Sequence, residues 1–178
     1  TRAEPLGVEV IVGDEDKDIN EEIICGIISY PGTLGDIKDP SEAISKIHKK
    51  SGKAVLVCDL LALAKLKTPA ELGADIAVGD AQVFGNAINF GGPTLGFIAC
   101  TTKLMRKMPG RIVGESVDLD GKRGYVLTLQ AREQHIRREK ATSNITSNQA
   151  LNALAATIYL STLGLKGIRE VANRSRIN

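Results

Sequence analysis

Short apolar runs separated by polar turns make up most of the first hundred residues. The runs are rich in Val, Ile, Leu and Ala, and most of them end at Gly, Pro or Asp, which is the pattern of buried β-strands. The predicted strands are Gly7–Val12, Ile23–Tyr30, Ala54–Val57, Ala74–Val78 and Thr94–Ala99.

A helix is predicted between the second and third of these strands. The segment Asp39–Glu42 supplies an N-cap aspartate, a proline for the first helical position and a glutamate at the third. Ile44 and Ile47 follow at helical spacing, and Gly52 ends the helix. Strand, helix and strand over residues 23–58 form a βαβ unit, which implies parallel pairing with a right-handed crossover.

The pattern changes after residue 110. Two short strands, Arg111–Val113 and Tyr125–Leu129, flank Asp120–Arg123 and predict a hairpin. An Ala-rich helix ended by Gly164 comes later, and Ile168–Asn173 predicts a last helix. The apolar stripe of the Ala-rich helix consists of Leu151, Leu154, Ala155 and Ile158.

Composition narrows the class of protein. The 178 residues are 43% hydrophobic, enough for one core, so residues 1–178 are predicted to be a single α/β domain. Three Phe, three Tyr and no Trp disfavour a protein that stacks nucleic-acid bases on aromatic rings. No apolar run is as long as a membrane span, and no signal peptide is recognisable. We therefore expect a cytoplasmic chain with neither a nucleic acid nor a membrane as partner.

Charge is unevenly distributed along the chain. Residues 1–102 carry 9 basic and 15 acidic side chains, whereas residues 103–178 carry 14 basic and 6 acidic ones. A basic second half indicates an anionic ligand or an acidic partner surface, and a solvated helix face explains it equally well.

The three cysteines, Cys25, Cys58 and Cys100, lie far apart in apolar runs. This predicts buried thiols in a reducing compartment. The two histidines, His48 and His135, are distant in sequence from every cysteine, so no metal site is expected.

Asp59 is the strongest local candidate for a binding residue, because it follows a predicted buried strand. Ligands of open parallel sheets bind at the carboxyl ends of the strands, where a carboxylate can hold a cationic nitrogen such as that of a pyridoxal phosphate ring. The alternative is that Asp59 caps the turn over Leu60–Ala64.

In pyridoxal phosphate enzymes of the aspartate-aminotransferase type, the strand after such an aspartate leads to the lysine that forms the Schiff base, and the corresponding loop of this chain has no lysine. No lysine occurs between Lys67 and Lys103, and the amide of Gln82 cannot form a Schiff base. Gly91 and Gly92 precede a proline, and such a turn lets backbone approach a ligand closely, although most turns of this kind are only turns.

A basic stretch precedes a cluster of hydroxyl and amide side chains at a predicted helix start. Such a helix start offers backbone and side-chain donors to a phosphate. The alternative is an exposed, salt-bridged helical turn, in which His135 is a surface residue. The basic residues and histidine considered as candidates are Arg132, His135, Arg137 and Arg138, and the donors are Thr142, Ser143 and Asn144.

Read together, these segments resemble the P-protein of the glycine cleavage system over essentially the whole chain. FGNAINFGG, at residues 84–92, resembles subunit 1 of the two-subunit glycine dehydrogenase (decarboxylating). One departure is Thr146, where the family usually has cysteine. The segments that carry the resemblance are ISYPGTLGDIKD (Ile28–Asp39), VCDLLAL (Val57–Leu63), GADIAVGDAQVFG (Gly73–Gly85), FGGPTLGF (Phe90–Phe97), MPGRIVGESVD (Met108–Asp118) and LQAREQHIRREKATSN (Leu129–Asn144).

The resemblance implies part of the large domain of the aspartate-aminotransferase-like, fold type I transferases, with a mostly parallel sheet flanked by helices. The flanking amino-terminal part and the carboxyl-terminal small domain are expected to be absent. The implied activity is that of an oxidoreductase of glycine catabolism. It decarboxylates glycine with pyridoxal 5'-phosphate and passes the aminomethyl group to the lipoyl arm of H-protein, as a cytoplasmic heterotetramer.

The resemblance also assigns roles to residues. In the two-subunit form the lysine belongs to subunit 2 and aligns with Gln82, so the partner subunit holds the cofactor covalently. Thr142, Ser143 and Asn144 then bond the cofactor phosphate in trans, and the Asp59 pocket is vestigial. His135 and Arg137 are the candidates for catalysis or for the entrance and interface, and Gly91 and Gly92 for cofactor contact.

Two other functions remain open from the sequence. One is a purely structural subunit that scaffolds subunit 2. The other, an independent aminotransferase or lyase, is disfavoured because no lysine follows the Asp59 strand at the required place.

Overall fold

The computed structural model describes residues 3–14, 19, 22–88, 92, 94–130 and 149–177. It divides into two compact units. The first consists of residues 1–80, 97–99 and 168–178, and the second of residues 81–96 and 100–167. The two are described separately below, and the single-domain prediction stays a prediction.

A four-stranded sheet is the centre of the first unit. Its strand order is β1-β2-β3-β4, and both β1 with β2 and β2 with β3 pair in parallel. The predicted βαβ unit is thereby confirmed. The elements are β1 (Cys25–Tyr30), α1 (Ser41–Lys49), β2 (Lys53–Asp59), β3 (Ile76–Asp80) and β4 (Gly96–Cys100).

Helix α1 covers one face of this sheet. Ile44 and Ile47 are 2% and 1% exposed and pack in one core with Leu56 and Tyr30. Gly26 lets the helix approach β1, because a methyl group there would overlap the Cδ1 atom of Ile47. Among the described residues, the most buried side chains therefore lie where Ile44 and Ile47 of α1 pack against the strands.

The start of α1 differs by one residue from the prediction. Its N-cap is Pro40, not Asp39, and Pro40 has no side chain able to bond to the helix. Asp39 nonetheless accepts a hydrogen bond from the backbone N–H of Ser41 at 2.9 Å. The aspartate thus satisfies a free amide of the first turn from one position further out.

The predicted strand Gly7–Val12 is wrong. Residues 8–14 have no regular structure, and only a short 3-10 helix, Glu4–Leu6, precedes them. Val10, Ile11 and Val12 are exposed. Strand preference expresses the fit to a paired, half-buried surface, and no described strand pairs with this run.

A β-hairpin belongs to the second unit and is longer than predicted. Strands β5 (Arg111–Val117) and β6 (Arg123–Gln130) pair antiparallel, with an irregularity between Ile112 and Val113. The turn lies at Asp118–Lys122 and not at Asp120–Arg123. Asp118 fixes it by accepting hydrogen bonds from the N–H groups of Asp120 and Lys122, both at 2.9 Å.

The last element, α2, spans Ala150–Ile177 and is interrupted at Gly164. The backbone there has φ 59° and ψ −177°, which is not helical and favours glycine. The predicted end of the Ala-rich helix at Gly164 is confirmed. Residues 150–163 are called the first part of α2 below.

Candidate functional site

The carboxyl ends of β2 and β3 bring two aspartates side by side. Asp59 and Asp80 are register partners in the parallel pair and are both exposed. This is the edge at which ligands of open parallel sheets bind. The structure therefore adds Asp80 to Asp59, which the sequence indicated. The sequence signal for Asp80 was the Gly79-Asp80 pair at the end of the next strand.

Asp59 caps the turn that follows its strand. Its Oδ1 accepts hydrogen bonds from the N–H groups of Leu61 at 2.8 Å and Ala62 at 3.1 Å, at the start of a short 3-10 helix. The capping interpretation is confirmed. Both bonds use Oδ1 of Asp59 and do not test ligand binding, so the ligand-binding interpretation stays a prediction.

Gln82 lies in a tightly bonded turn of the second unit. Its side-chain amide donates to the carbonyl oxygen of Asn86, and the N–H of Phe84 donates to the Ala81 carbonyl at 3.0 Å. Gly85 completes the turn with φ 80°. The Gln82 side chain is thus an amide whose nitrogen donates a hydrogen bond to backbone.

The first part of α2 fixes this turn from one side. The side chain of Asn86 donates to the Asn152 carbonyl at 3.3 Å, and that of Asn152 donates to the Thr94 carbonyl at 3.1 Å. The rings of Phe84 and Tyr159 lie 6.3 Å apart. The turn is held by both hydrogen bonds and ring packing, so its backbone is preorganised.

A charged cluster that the sequence did not indicate follows β1. The Nζ of Lys67 lies 2.6 Å from an oxygen of Asp39, which also accepts from Ser41. The Lys67 and Ser41 bonds hold the pKa of Asp39 well below its usual range, and Asp39 raises the pKa of Lys67. Burial, followed by the charge of Asp39, raises the pKa of Tyr30 at the end of β1.

An open cleft of about 480 Å³ lies beside the first strand in the first unit. Polar and apolar side chains line it together. The polar ones include Ser29, Thr33, Asp36 and Lys38, and Ile27 and Leu34 lie beside them.

A second charged cluster lies at the opposite, amino-terminal end of the strands. Asp75 accepts a hydrogen bond from the Ala54 N–H at 2.9 Å, lies 2.8 Å from Nε2 of His48, and lies 3.4 Å from Nζ of Lys53. Burial raises the pKa of Asp75, but these bonds and charges outweigh it, so the pKa lies below its ordinary value. This cluster joins α1, β2 and β3 and has a structural role.

The thiols are not all buried as predicted. Cys58 is buried, Cys100 is half-buried and Cys25 is exposed, since β1 is an edge strand. Among the described residues, no three His, Cys, Asp or Glu side chains come together as a metal site would require.

The remaining predicted site residues lie outside the described part of the chain. Gly92 is described and forms an isolated β-bridge, but Gly91 is not. The basic and phosphate-binding candidates fall in residues 131–148, which the structure does not describe, so their roles stay predictions. These are Arg132, His135, Arg137, Arg138, Thr142, Ser143 and Asn144.

Comparison with known proteins identifies the family. Residues 1–177 match the family described as glycine cleavage system P-protein. The chain is 69% identical to the glycine dehydrogenase (decarboxylating) of Pelagibacter ubique over 97% of its length, but spans 18% of that relative. It is 56% identical to the probable glycine dehydrogenase (decarboxylating) subunit 1 of Exiguobacterium sibiricum, over 89% of this chain and 35% of the relative.

A solved structure agrees with these matches. The crystal structure of glycine decarboxylase (P-protein) of the glycine cleavage system, in inhibitor-bound form, superposes with a TM-score of 0.77 at 47% identity. The match covers 84% of this chain and 34% of that one. The predicted fold class, a mostly parallel α/β sheet of fold type I, is confirmed. On these matches, the chain belongs to the glycine cleavage system P-protein family.

Proposed function

We propose that this chain is the part of a glycine decarboxylase that completes the active site without binding the cofactor covalently. The whole enzyme would decarboxylate glycine with pyridoxal 5'-phosphate and pass the aminomethyl group to lipoylated H-protein. The chain spans 35% of the subunit 1 relative and 18% of the undivided one, so this activity belongs to a larger assembly.

The observation that carries this proposal is the chemistry at Gln82. A carbonyl compound condenses with a primary amine, and the lone pair of an amide nitrogen is delocalised into its carbonyl. The Gln82 side chain moreover donates to Asn86 within its own turn. The residues around it hold this turn in place without supplying an amine.

Lys67 does not replace the missing amine. Lys67 contacts Asp39 and affects the pKa of Tyr30 at the end of β1. Asp39 raises its pKa, so at neutral pH it is an ammonium ion without a nucleophilic lone pair. Neither Gln82 nor Lys67 therefore fits a covalently held pyridoxal phosphate.

The contribution left to this chain is non-covalent. Thr142, Ser143 and Asn144 are donors of the kind that bind a phosphate, and the basic residues before them would draw anions towards it. In this proposal the three donors hold the cofactor phosphate from across an interface. His135 and Arg137 line the approach, and Asp59 and Gln82 mark a pocket that no longer anchors the cofactor.

The part of the enzyme that bears the lysine is either a partner subunit or another stretch of the same polypeptide. The subunit 1 relatives favour glycine dehydrogenase subunit 2 as the partner. The more similar relative is undivided and much the longer protein, which favours a lysine further along one chain. Both arrangements place the covalent bond outside residues 1–178.

The phosphate assignment is tested with Thr142→Ala in the complete P-protein, with Thr146→Ala as a matched control of the same residue type. Losing one hydrogen bond to a charged group should weaken cofactor binding by about 1.5–3 kcal/mol. The measurement is equilibrium dialysis of pyridoxal phosphate against each variant. Equal affinities for Thr142→Ala and Thr146→Ala would exclude the assignment.

A purely structural subunit is the alternative. It predicts that substitutions at Arg137 or Thr142 change assembly but leave the turnover of correctly assembled enzyme unaltered. Glycine decarboxylation by complexes of verified stoichiometry separates the two, because the completing role requires reduced turnover in an intact assembly.

A further inference from the structure

Asn152, in the first turn of α2, contacts both ends of the segment 86–94. Its side-chain amide donates a hydrogen bond to the carbonyl oxygen of Thr94 at 3.1 Å. Its own backbone carbonyl accepts a hydrogen bond from the side chain of Asn86 at 3.3 Å. All three residues belong to the second unit. One helical residue therefore bridges the start and the end of this segment.

The Asn152 side chain is itself held in its orientation. The same amide also donates to Oε1 of Gln149 at 3.1 Å, three residues earlier in the chain. Asn152 is half-buried, so water competes less with its hydrogen bonds than it would at a fully exposed position. The amide is therefore preorganised to hold the Thr94 carbonyl.

The ends of the segment 86–94 are also tied to the Gln82 turn. The N–H of Asn86 donates to the Gln82 carbonyl at 3.2 Å, and the N–H of Ala81 donates to the Leu95 carbonyl at 2.7 Å. Fixing both ends of a segment restricts the backbone conformations open to the residues between them. Asn152 adds to this restriction from the helix.

Gly92 belongs to this segment and adjoins open space. A methyl group on Gly92 would lie within 4 Å of no atom of the described residues. The φ of Gly92 lies outside the left-handed region, so neither backbone strain nor packing among the described residues calls for glycine there. A backbone without a side chain, next to open space, suits the close approach of a ligand.

We propose that Asn152 is a positioning residue that holds the Gly92 backbone in place for contact with the cofactor. It acts through its hydrogen bonds to Thr94 and Asn86, which fix the two ends of the segment that contains Gly92. This inference rests on the proposed function, in which the chain contributes to the cofactor site without a covalent bond, and it names a residue on which that contribution depends.

The hydrogen bonds of Asn152 also bear on the apolar character of α2. The stretch Ala150–Ser175 is long and apolar enough to cross a membrane by length and composition, and 6% of its most apolar stretch is buried. Gly164 interrupts the helix, however, and Asn152 binds backbone of the second unit near the helix start. The start of α2 therefore packs against protein, as the proposal requires.

The test replaces Asn152 in the complete P-protein. Two quantities are measured, the amide hydrogen exchange of peptides within residues 84–95 and the affinity for pyridoxal phosphate in equilibrium dialysis. Asn152→Leu has a similar size but no amide donor. It should speed the exchange several-fold and weaken cofactor binding about tenfold, as expected for the loss of one hydrogen bond that holds a binding segment.

Two further variants control for the chemistry of the change. Asn152→Gln keeps the amide donor and should retain most of the affinity. Asn173→Leu makes the same change at an exposed position of α2 and should leave both quantities as in the parent protein. Where Asn152→Leu does not fold, Asn86→Ala removes the bond at the other end of the segment and should produce both effects.

A merely structural role for Asn152 gives a different result. Asn152→Leu would then lower the thermal unfolding midpoint but bind pyridoxal phosphate as tightly as Asn173→Leu, and this outcome would overturn the proposal. Exchange within residues 84–95 that matches the Asn173→Leu control would overturn it as well, because the segment would not depend on the Asn152 bonds.

Thr142→Ala, measured in the same dialysis experiment, separates this inference from the proposed function. Weaker binding by Thr142→Ala together with normal binding by Asn152→Leu would reject the role of Asn152 and leave the proposed function in place. Normal binding by both variants would reject both ideas. Weaker binding by both, with faster exchange in Asn152→Leu, is the expected result.

Discussion

At the scale of single residues, Asp75 shows how one carboxylate ties together elements distant in sequence. It takes a hydrogen bond from the Ala54 N–H and contacts His48 and Lys53, so it links the end of α1 to the starts of β2 and β3. Its side chain is 14% exposed, which leaves little water to replace these partners. The stabilisation therefore depends on the carboxylate being ionised.

The stability contributed by Asp75 should be lost in acid. Its folded pKa is depressed, so the contribution is fully present above the unfolded value of about 3.9 and disappears as the pH falls through the folded value. Asp75→Asn should lower the free energy of unfolding at pH 7 by about 2 kcal/mol. Urea unfolding at pH 7 and pH 3 measures this.

The matched control for this prediction is Asp120→Asn in the exposed hairpin turn. It should leave the unfolding free energy within about 0.5 kcal/mol of the parent protein. A loss for Asp75→Asn that is the same at both pH values would mean that packing, and not charge, is responsible.

The thiols should differ in reactivity according to exposure. Cys25 is exposed and Cys58 is buried. Partial desolvation of the Cys25 thiol, followed by the charge of Asp75, raises the pKa of Cys25, and burial raises the pKa of Cys58. Iodoacetamide at pH 8 should therefore modify Cys25 slowly and before Cys58, as followed by peptide mass spectrometry. Faster modification of Cys58 would contradict the described position of β1 at the sheet edge.

At the scale of elements, the packing of α1 on the parallel strands stabilises the first unit. Ile47→Ala should destabilise the protein by about 2–5 kcal/mol, because it removes a fully buried side chain and leaves a cavity. Ile37→Ala is the control, since Ile37 is 58% exposed. Thermal unfolding of the two variants should differ clearly, and equal midpoints would rule out the described core.

Helices and strands were predicted correctly where the local sequence pattern of a segment agrees with the way that segment pairs and packs in the folded chain. The isoleucine spacing of α1, the apolar run of β2 and the glycine that interrupts α2 all express local preferences that the final packing reinforces. Gly7–Val12 has the composition of a strand but no described strand pairs with it, so the prediction from composition alone was wrong there. The predicted position of the hairpin turn was wrong because the Asp118 side chain accepts a hydrogen bond from the Lys122 N–H. The Asp120-Gly121 pair, on which the prediction rested, does not reveal this interaction.

At the scale of the whole molecule, the sequence predicted those parts of the site that follow from the order of the strands along the chain. A residue at the end of a buried parallel strand must lie at the carboxyl edge, which located Asp59. Asp80 beside it and the Lys67–Asp39 pair depend on register and on a contact between residues 28 positions apart, which no local pattern encodes. The identity of the cofactor came from the family resemblance and not from the spacing of residues.

The central claim is that this chain completes a pyridoxal phosphate enzyme without bonding covalently to the cofactor. Borohydride reduction of cofactor-loaded P-protein, followed by peptide mapping, tests it directly by fixing the pyridoxyl group to whichever lysine held it. The account predicts that group on a lysine outside residues 1–178. A pyridoxyl group on Lys67, Lys103 or any other lysine of this chain would contradict it.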